Sequence, residues 1–183
     1  MTETPPERYR RLAADLTATL AAVPADRWDD PSPCPDWTAR GLVRHLVETP
    51  GMIFGMAGRT LEPGPSVDED PVAAYVAVRD QVQAALDDPE VAGLAFDGFF
   101  GRTTLGEAVD RFLSFDTAVH RCDVGRATGV DVRLDPADVE DLWTRAEAFG
   151  PALRAEGVCG PAVVPPADAD PQTRLLAHLG RRG

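Results

Sequence analysis

The segment from Thr104 to Gly129 has the pattern of one long helix with a polar pair inside its apolar face. It begins with a capping box, in which Glu107 follows Thr104 by three residues, and it ends at a glycine. At about 100° per residue, its apolar face is made of Leu105, Val109, Phe112, Leu113 and Ala127. Asp116 and His120 occupy the middle of that face. Because a buried carboxylate is costly unless it is paired or binds a metal, this helix predicts a functional site.

The remaining sequence predicts further helices and no strand. Apolar residues at helical spacing, N-cap residues such as Thr38, and the Asp-Pro pairs at 135–136 and 170–171 indicate five more helical segments. These segments cover about residues 6–22, 38–58, 71–86 and 136–149, and a short final helix begins at residue 170. The Pro50-Gly51 pair is expected to kink or interrupt the second segment. Four long amphipathic helices predict an all-α four-helix bundle with a proline-rich extension over residues 151–170.

Length, composition and charge limit the classes of function. The 183 residues show no shift in composition, so a single domain over residues 1–183 is expected. A net charge of −12 without a basic stripe argues against nucleic acid as a partner. No window approaches the roughly 18 consecutive apolar residues of a membrane span, and the N-terminus lacks the pattern of a signal peptide. With three cysteines and no CxxC spacing, the composition predicts a cytoplasmic protein that binds no membrane.

The loop over residues 87–103 carries three aromatic residues between glycines. Phe96, Phe99 and Phe100 lie among Gly93, Gly98 and Gly101. Aromatic residues in such a loop indicate a segment folded over something, not a free linker. We expect the phenylalanines either to line an apolar substrate cleft or to cover the open end of the bundle.

A second histidine belongs with the polar pair. His45 lies at one flank of the apolar face of the predicted helix 38–58, so it points into or along the bundle. Metal sites in helical bundles are built from inward-facing side chains on facing helices. Two histidines and one aspartate leave a coordination position open, which is typical of a catalytic site, and the set can hold zinc, nickel, iron or manganese. The alternative is a buried imidazole–carboxylate pair without a metal.

Two stretches resemble a known family. Residues 31–45, PSPCPDWTARGLVRH, look like the CPxWTxxDLxxHL signature of the DinB-like superfamily, in its mycothiol-dependent maleylpyruvate isomerase branch. Residues 116–129, DTAVHRCDVGRATG, are similar to that branch's later motif, and residues 163–181 resemble the tail of its short actinobacterial members. Gly41, Cys122 and Gly125 depart from the usual acid, tryptophan and alanine. The resemblance implies a four-helix bundle with a divalent metal, often zinc, bound by His45, Asp116 and His120.

Other residues near the later motif have two interpretations each. Asp123 follows His120 by about one turn, at the edge of the apolar face, and could hydrogen-bond a ligand or handle a proton; alternatively, it forms an ion pair with an arginine. Arg121 and Arg126 could bind a carboxylate of the substrate or cofactor, or they complement the helix dipole. Cys34 precedes the His45 helix, where a thiol can be activated, or it is a small buried apolar residue.

The resemblance also implies a low-molecular-weight thiol, mycothiol in actinobacteria, as a cofactor. A thiol that joins the open metal position becomes a thiolate at neutral pH and can attack a small electrophile. The leading hypothesis is therefore a metal-dependent enzyme that transfers such a thiol to a small molecule or isomerises that molecule. The alternatives are a metal-dependent hydrolase of thiol conjugates or amides and a non-catalytic metal-binding stress or sensor protein. A homodimer is possible.

Overall fold

The computed structural model describes residues 3–155 and 157–182, and most of them are helical. In chain order the elements are α1 (Pro5–Ala21), α2 (Ala39–Met56), α3 (Pro71–Asp87), α4 (Pro89–Ala92), β1 (Ala95–Gly98), β2 (Gly101–Thr104), α5 (Leu105–Ala108), a π-helical turn (Val109–Leu113), α6 (Ser114–Thr128), α7 (Pro136–Phe149), a 3-10 turn (Gly150–Arg154) and α8 (Pro171–His178). The all-α prediction is confirmed. No helix in the described ranges is long and apolar enough to cross a membrane.

Four helices form the bundle that carries the candidate site. α1 and α2 each pack against both α3 and α6, so α1 lies diagonal to α2. α7 and α8 pack against each other, and Leu142 and Leu175 belong to the same apolar cluster as Val119 of α6. The C-terminal segment therefore covers part of α6, the helix with the polar pair.

The helix ends follow the capping chemistry of the sequence. Thr38 accepts a hydrogen bond from the main-chain N–H of Gly41 at the start of α2, and Asp170 does the same for Thr173 at the start of α8. Thr104 and Glu107 form the predicted capping box, and Gly129 ends α6 in the left-handed conformation with φ of 80°. These predicted boundaries are confirmed.

The predicted helix 104–129 contains one turn of a different kind. Residues Val109–Leu113 are π-helical, and the N–H of Ser114 donates to the carbonyl of Val109, five residues back. The guanidinium of Arg145 on α7 donates to the main-chain oxygen of Asp110 in this turn, at 2.8 Å. Such turns often lie at functional sites, and a periodicity near 100° per residue does not distinguish them from an α-helix.

The prediction that the chain has no strand was wrong in the loop 87–103. β1 and β2 pair as an antiparallel hairpin, with Gly98 opposite Gly101 and the two residues Phe99 and Phe100 at its turn. Strands of four residues are too short for alternation to be visible in the sequence. Phe96 is buried beneath the hairpin, whereas Phe99 and Phe100 are exposed.

Helix α2 is not interrupted at Pro50, although the Pro50-Gly51 pair was expected to kink or break it. Proline lacks the N–H for one hydrogen bond to the preceding turn. Pro50 is itself buried, and so are Leu46 before it and Ile53 after it. Burial on both sides of Pro50 keeps the helix continuous.

Candidate metal site

Two helices bring together the three residues predicted as metal ligands. His45 lies on α2, and Asp116 and His120 lie one turn apart on α6. The Nε2 atom of His45 is 3.2 Å from Oδ2 of Asp116, and the rings of His45 and His120 meet edge to face with centroids 5.0 Å apart. One ligand atom from each residue lies within 4.8 Å of the other two. This spacing is compatible with one cation bound by two imidazole nitrogens and one carboxylate oxygen.

The site is buried on one side and open on the other. Only 7% of the His120 side chain is exposed, but 28% of His45 and 29% of Asp116 are exposed. The sequence pattern placed Asp116 in the middle of the apolar face, whereas it lies at the edge of the core, because α2 presents the imidazole of His45 to it instead of an apolar side chain. A small molecule can therefore reach this group of donors from solvent.

Trp37 and Thr49 also contact the site. Thr49 follows His45 by four residues, so helical spacing places it beside that histidine, whereas the sequence did not indicate the contact of Trp37. The indole of Trp37 lies 4.9 Å from the ring of His45 and 6.0 Å from the ring of His120, between ring centroids. The hydroxyl of Thr49, one turn after His45, is 3.2 Å from its Nδ1 atom. These neighbours restrict the rotation of His45 and leave its Nε2 atom beside Asp116.

Asp123 fixes the orientation of His120. Its Oδ2 atom is 2.9 Å from Nδ1 of His120, so Nε2 is the nitrogen left for a metal. The sequence placed Asp123 at the edge of the apolar face, but it is fully buried because Arg181 of the C-terminal segment covers it. Burial favours the neutral acid, yet the hydrogen bonds from His120 and Arg181 and the positive charge of Arg181 lower the pKa of Asp123 to about 2. Asp123 is therefore a carboxylate that contacts both His120 and an arginine.

A second group of donors shares His120. One atom each from Cys34, His120 and Asp123 also lie within 4.8 Å of one another. The guanidinium of Arg181 already lies there: Nη2 is 3.0 Å from Oδ2 of Asp123 and 3.6 Å from Sγ of Cys34, and Nη1 is 3.4 Å from Sγ of Cys159. Burial raises the pKa of Cys34 to about 12, and the positive charge of Arg181 at this position disfavours a cation there. The first group is the better cation site.

The other predicted residues lie away from the three ligands. Arg121 donates to Thr19 Oγ1 at 3.1 Å and to the carboxylate of Asp15 at 3.0 Å, both on α1. Arg126 donates to the main-chain oxygen of Arg182. Both guanidinium groups therefore contact α1 or the C-terminal residues and not the three ligands. A role for them in cofactor binding stays a prediction. The third histidine, His178, packs on Trp143 of α7 with ring centroids 5.0 Å apart.

Comparison with known proteins agrees with the resemblance in the sequence. Residues 9–125 match the family described as the mycothiol maleylpyruvate isomerase N-terminal domain. The chain is 32% identical over 187 residues to the uncharacterized proteins Rv0738 and MT0763 from two strains of Mycobacterium tuberculosis, covering 94% of this chain and 95% of each relative. Over 40 residues it is 51% identical to the uncharacterized protein Rv0036c of the same organism, covering 22% of this chain and 16% of that one.

No solved structure matches the chain significantly. The matched range 9–125 includes the three candidate ligands and Asp123, but it ends before Arg181.

Proposed function

Because the chain belongs to the mycothiol maleylpyruvate isomerase N-terminal domain family, a DinB-like family, we propose that it is a divalent-metal-dependent enzyme that uses a low-molecular-weight thiol. The proposed reaction is transfer of that thiol, mycothiol or a similar molecule, to a small electrophile, or isomerisation of the electrophile. The observation that carries the proposal is the group of His45, Asp116 and His120, which joins two helices and is open on one side. A histidine–aspartate pair that only stabilises the fold would need two of these side chains, whereas three of them converge here.

The donor set fits a divalent transition metal. Two neutral imidazoles and one carboxylate suit zinc, nickel, iron or manganese, and zinc is the first choice. His120 is suited to this task because Asp123 accepts the hydrogen of its Nδ1 atom, which leaves the Nε2 lone pair free. A divalent cation bound there lowers the pKa of a thiol or a water molecule that joins it.

The surrounding residues orient the donors and limit access of water. Asp123 sets the tautomer of His120, and its low pKa and its pairing with Arg181 make it a poor proton acceptor. Trp37 covers the imidazoles on one side, and Thr49 contacts Nδ1 of His45. The half-exposed Asp116 borders the open side, where the thiol and the electrophile would meet. Orientation of two reactants beside fixed donors supplies a large part of the rate enhancement in such reactions.

The proposed partners are the thiol and a small-molecule substrate, and the proposed compartment is the cytoplasm. The three cysteines are free thiols in the structure, which supports a reducing compartment where a low-molecular-weight thiol stays reduced. A homodimer stays a prediction.

The first experiment measures the metal content of the untagged protein by elemental analysis and its affinity for Zn²⁺ and Co²⁺ by titration against a chelator. His45→Ala, Asp116→Ala and His120→Ala should each lose the metal. His178→Ala is the matched control, because His178 packs on Trp143 outside the site. Wild-type protein that binds no transition metal would contradict the proposal.

The second experiment separates the thiol-using enzyme from the other two classes. Mycothiol added to the Co²⁺ protein should produce a thiolate-to-cobalt charge-transfer band. An electrophile such as an activated alkene should be converted only when mycothiol is present, with loss of free thiol in a transfer and without it in an isomerisation. Release of free thiol from a mycothiol conjugate, with no need for added thiol, would indicate a hydrolase. A Co²⁺ spectrum that mycothiol does not change would favour a non-catalytic metal-binding protein.

A further inference from the structure

A cavity of about 460 Å³ lies between the hairpin turn and the π-helical turn, outside the candidate metal site. Its aromatic walls are Phe99 and Phe100 of the hairpin, Phe112 of the π-helical turn and Phe149 at the end of α7. We refer to it as the phenylalanine cavity. Its volume is in the range of cavities that bind small molecules, about 300–1,000 Å³. None of the three candidate metal ligands lines it.

The four rings form a connected aromatic surface. Phe112 stacks on Phe100 and Phe149, with centroid distances of 6.0 and 5.9 Å, and meets Phe99 edge to face at 5.8 Å. Phe99 and Phe100 nevertheless remain 58% and 49% exposed. Two neighbouring aromatic side chains left in water at a hairpin turn are costly, and their free faces and edges suit offset stacking with a planar ring.

The charged side chains that line the cavity have an excess of positive charge, since three arginines face two carboxylates. The guanidinium of Arg111 lies over the ring of Phe100, 5.0 Å from its centroid, and no carboxylate of the described residues lies within 4.0 Å of it. Arg102 at the rim has only a 3.7 Å contact with Asp97. This excess of positive charge contrasts with the net charge of −12 of the whole chain. An anionic group near Arg111 would complement it.

The acidic residues of the cavity wall, in contrast, already have partners. Asp110 accepts hydrogen bonds from Arg8 at 2.6 Å and from Arg145 at 3.1 Å. Glu107 accepts the main-chain N–H of Thr104 in the capping box. The two arginines neutralise Asp110, whereas Glu107 keeps its negative charge one helical turn from Arg111, so the carboxylates reduce the positive charge of the cavity wall but do not cancel it.

The cavity is next to the candidate metal site along one helix. Phe112 precedes Asp116 by four residues, which corresponds to a rise of about 6 Å for a helical backbone. The π-helical turn that carries Arg111 and Phe112 is held in place by the hydrogen bond from Arg145 to the main-chain oxygen of Asp110. Phe112, one wall of the cavity, thus lies about one helical turn from Asp116.

We propose that the phenylalanine cavity binds a small molecule with a planar aromatic ring and one anionic group. The ring packs against Phe99 and Phe100, and the anionic group lies beside Arg111. The binding itself needs no metal. That such a molecule, with an electrophilic carbon in addition, is the substrate of the reaction rests on the proposed function.

The test uses metal-free, full-length protein and isothermal titration with three probes. trans-Cinnamate has both the ring and the charge, cinnamamide has only the ring, and hexanoate has only the charge. We expect cinnamate to bind about two- to fivefold more tightly than cinnamamide, which lacks the charge of the exposed ion pair, and about two- to fivefold more tightly than hexanoate, which lacks the ring that stacks. Equal affinities for cinnamate and cinnamamide, or no binding of cinnamate, would overturn the proposal.

Variants locate the binding on the protein. Arg111→Gln and Phe100→Leu should each weaken cinnamate binding about two- to fivefold, and both changes are at exposed positions that the fold tolerates. Arg133→Gln, at another exposed arginine, should leave the affinity unchanged. Unchanged affinity in Arg111→Gln would assign the binding to another place. Because metal binding is measured separately, failure of this proposal is distinguishable from failure of the proposed function.

Discussion

Arg181 and Asp123 form a buried ion pair, with Nη2 of the arginine 3.0 Å from Oδ2 of the aspartate. The pair joins residues 58 positions apart, one in the C-terminal segment and one on α6. The same carboxylate oxygen lies 2.9 Å from Nδ1 of His120. The C-terminal segment therefore contacts a candidate metal ligand through a single intervening side chain.

Arg181→Met should destabilise the protein strongly. The change leaves the fully buried Asp123 without its counter-charge, and breaking a buried pair typically costs about 3–5 kcal/mol. Urea unfolding in the presence of a chelator measures the free energy of unfolding without any metal contribution. Arg44→Met breaks the exposed pair with Asp68 and is the control, with an expected change within about 1 kcal/mol. Equal decreases in the free energy of unfolding of the two variants would mean that the buried pair contributes no more to stability than the exposed pair.

Asp123→Asn should weaken metal binding without removing it. Partners that orient a metal-bound histidine typically contribute about 10-fold to 100-fold in affinity. The affinity for Zn²⁺ is measured by competition with a chelator, on protein shown by circular dichroism to be folded. Asp15→Asn is the matched control, because Asp15 lies on α1, pairs with Arg121 and, among the described residues, forms no ion pair with any of the three candidate ligands. If both variants bind Zn²⁺ as the wild type does, Asp123 does not act on His120 as the geometry indicates.

The residues that the sequence could reveal are those on regular helices. His45, Asp116 and His120 could be found because helical periodicity and capping residues determine which face each presents. Arg181 could not be found in the same way, since its contact with Asp123 depends on the path of an irregular proline-rich segment. For the same reason the full burial of Asp123 was missed. The hairpin was missed because its strands are only four residues long.

Metal removal should lower the stability of the wild type but not of His120→Ala. A ligand that binds only the folded state stabilises it by about 2.7 kcal/mol at a free concentration one hundred times its dissociation constant. We therefore expect Zn²⁺ to raise the melting temperature of metal-free wild type and of His178→Ala, and to leave that of His120→Ala unchanged. Differential scanning calorimetry measures the shift. A shift of the same size in His120→Ala would place the metal elsewhere on the protein.

Gly125→Ala should destabilise the protein, although alanine is the usual residue of the family's motif at this position. A Cβ atom at residue 125 would lie 2.7 Å from the main-chain oxygen of Val130 and 2.6 Å from Cγ2 of Val132, where the chain turns back along α6 after Gly129. Such overpacking typically costs about 1–3 kcal/mol, because main-chain atoms cannot move aside as a flexible side chain can.

Gly51→Ala on α2 is the control for this change. No atom lies within 4 Å of a Cβ at Gly51, so only the backbone entropy of the helix changes there, and a gain of about 0.5–1 kcal/mol is expected. Urea unfolding of both variants should therefore give changes of opposite sign. A stabilised Gly125→Ala protein would mean that the segment after Gly129 moves away from α6 readily, and that the close contact there is not what requires glycine.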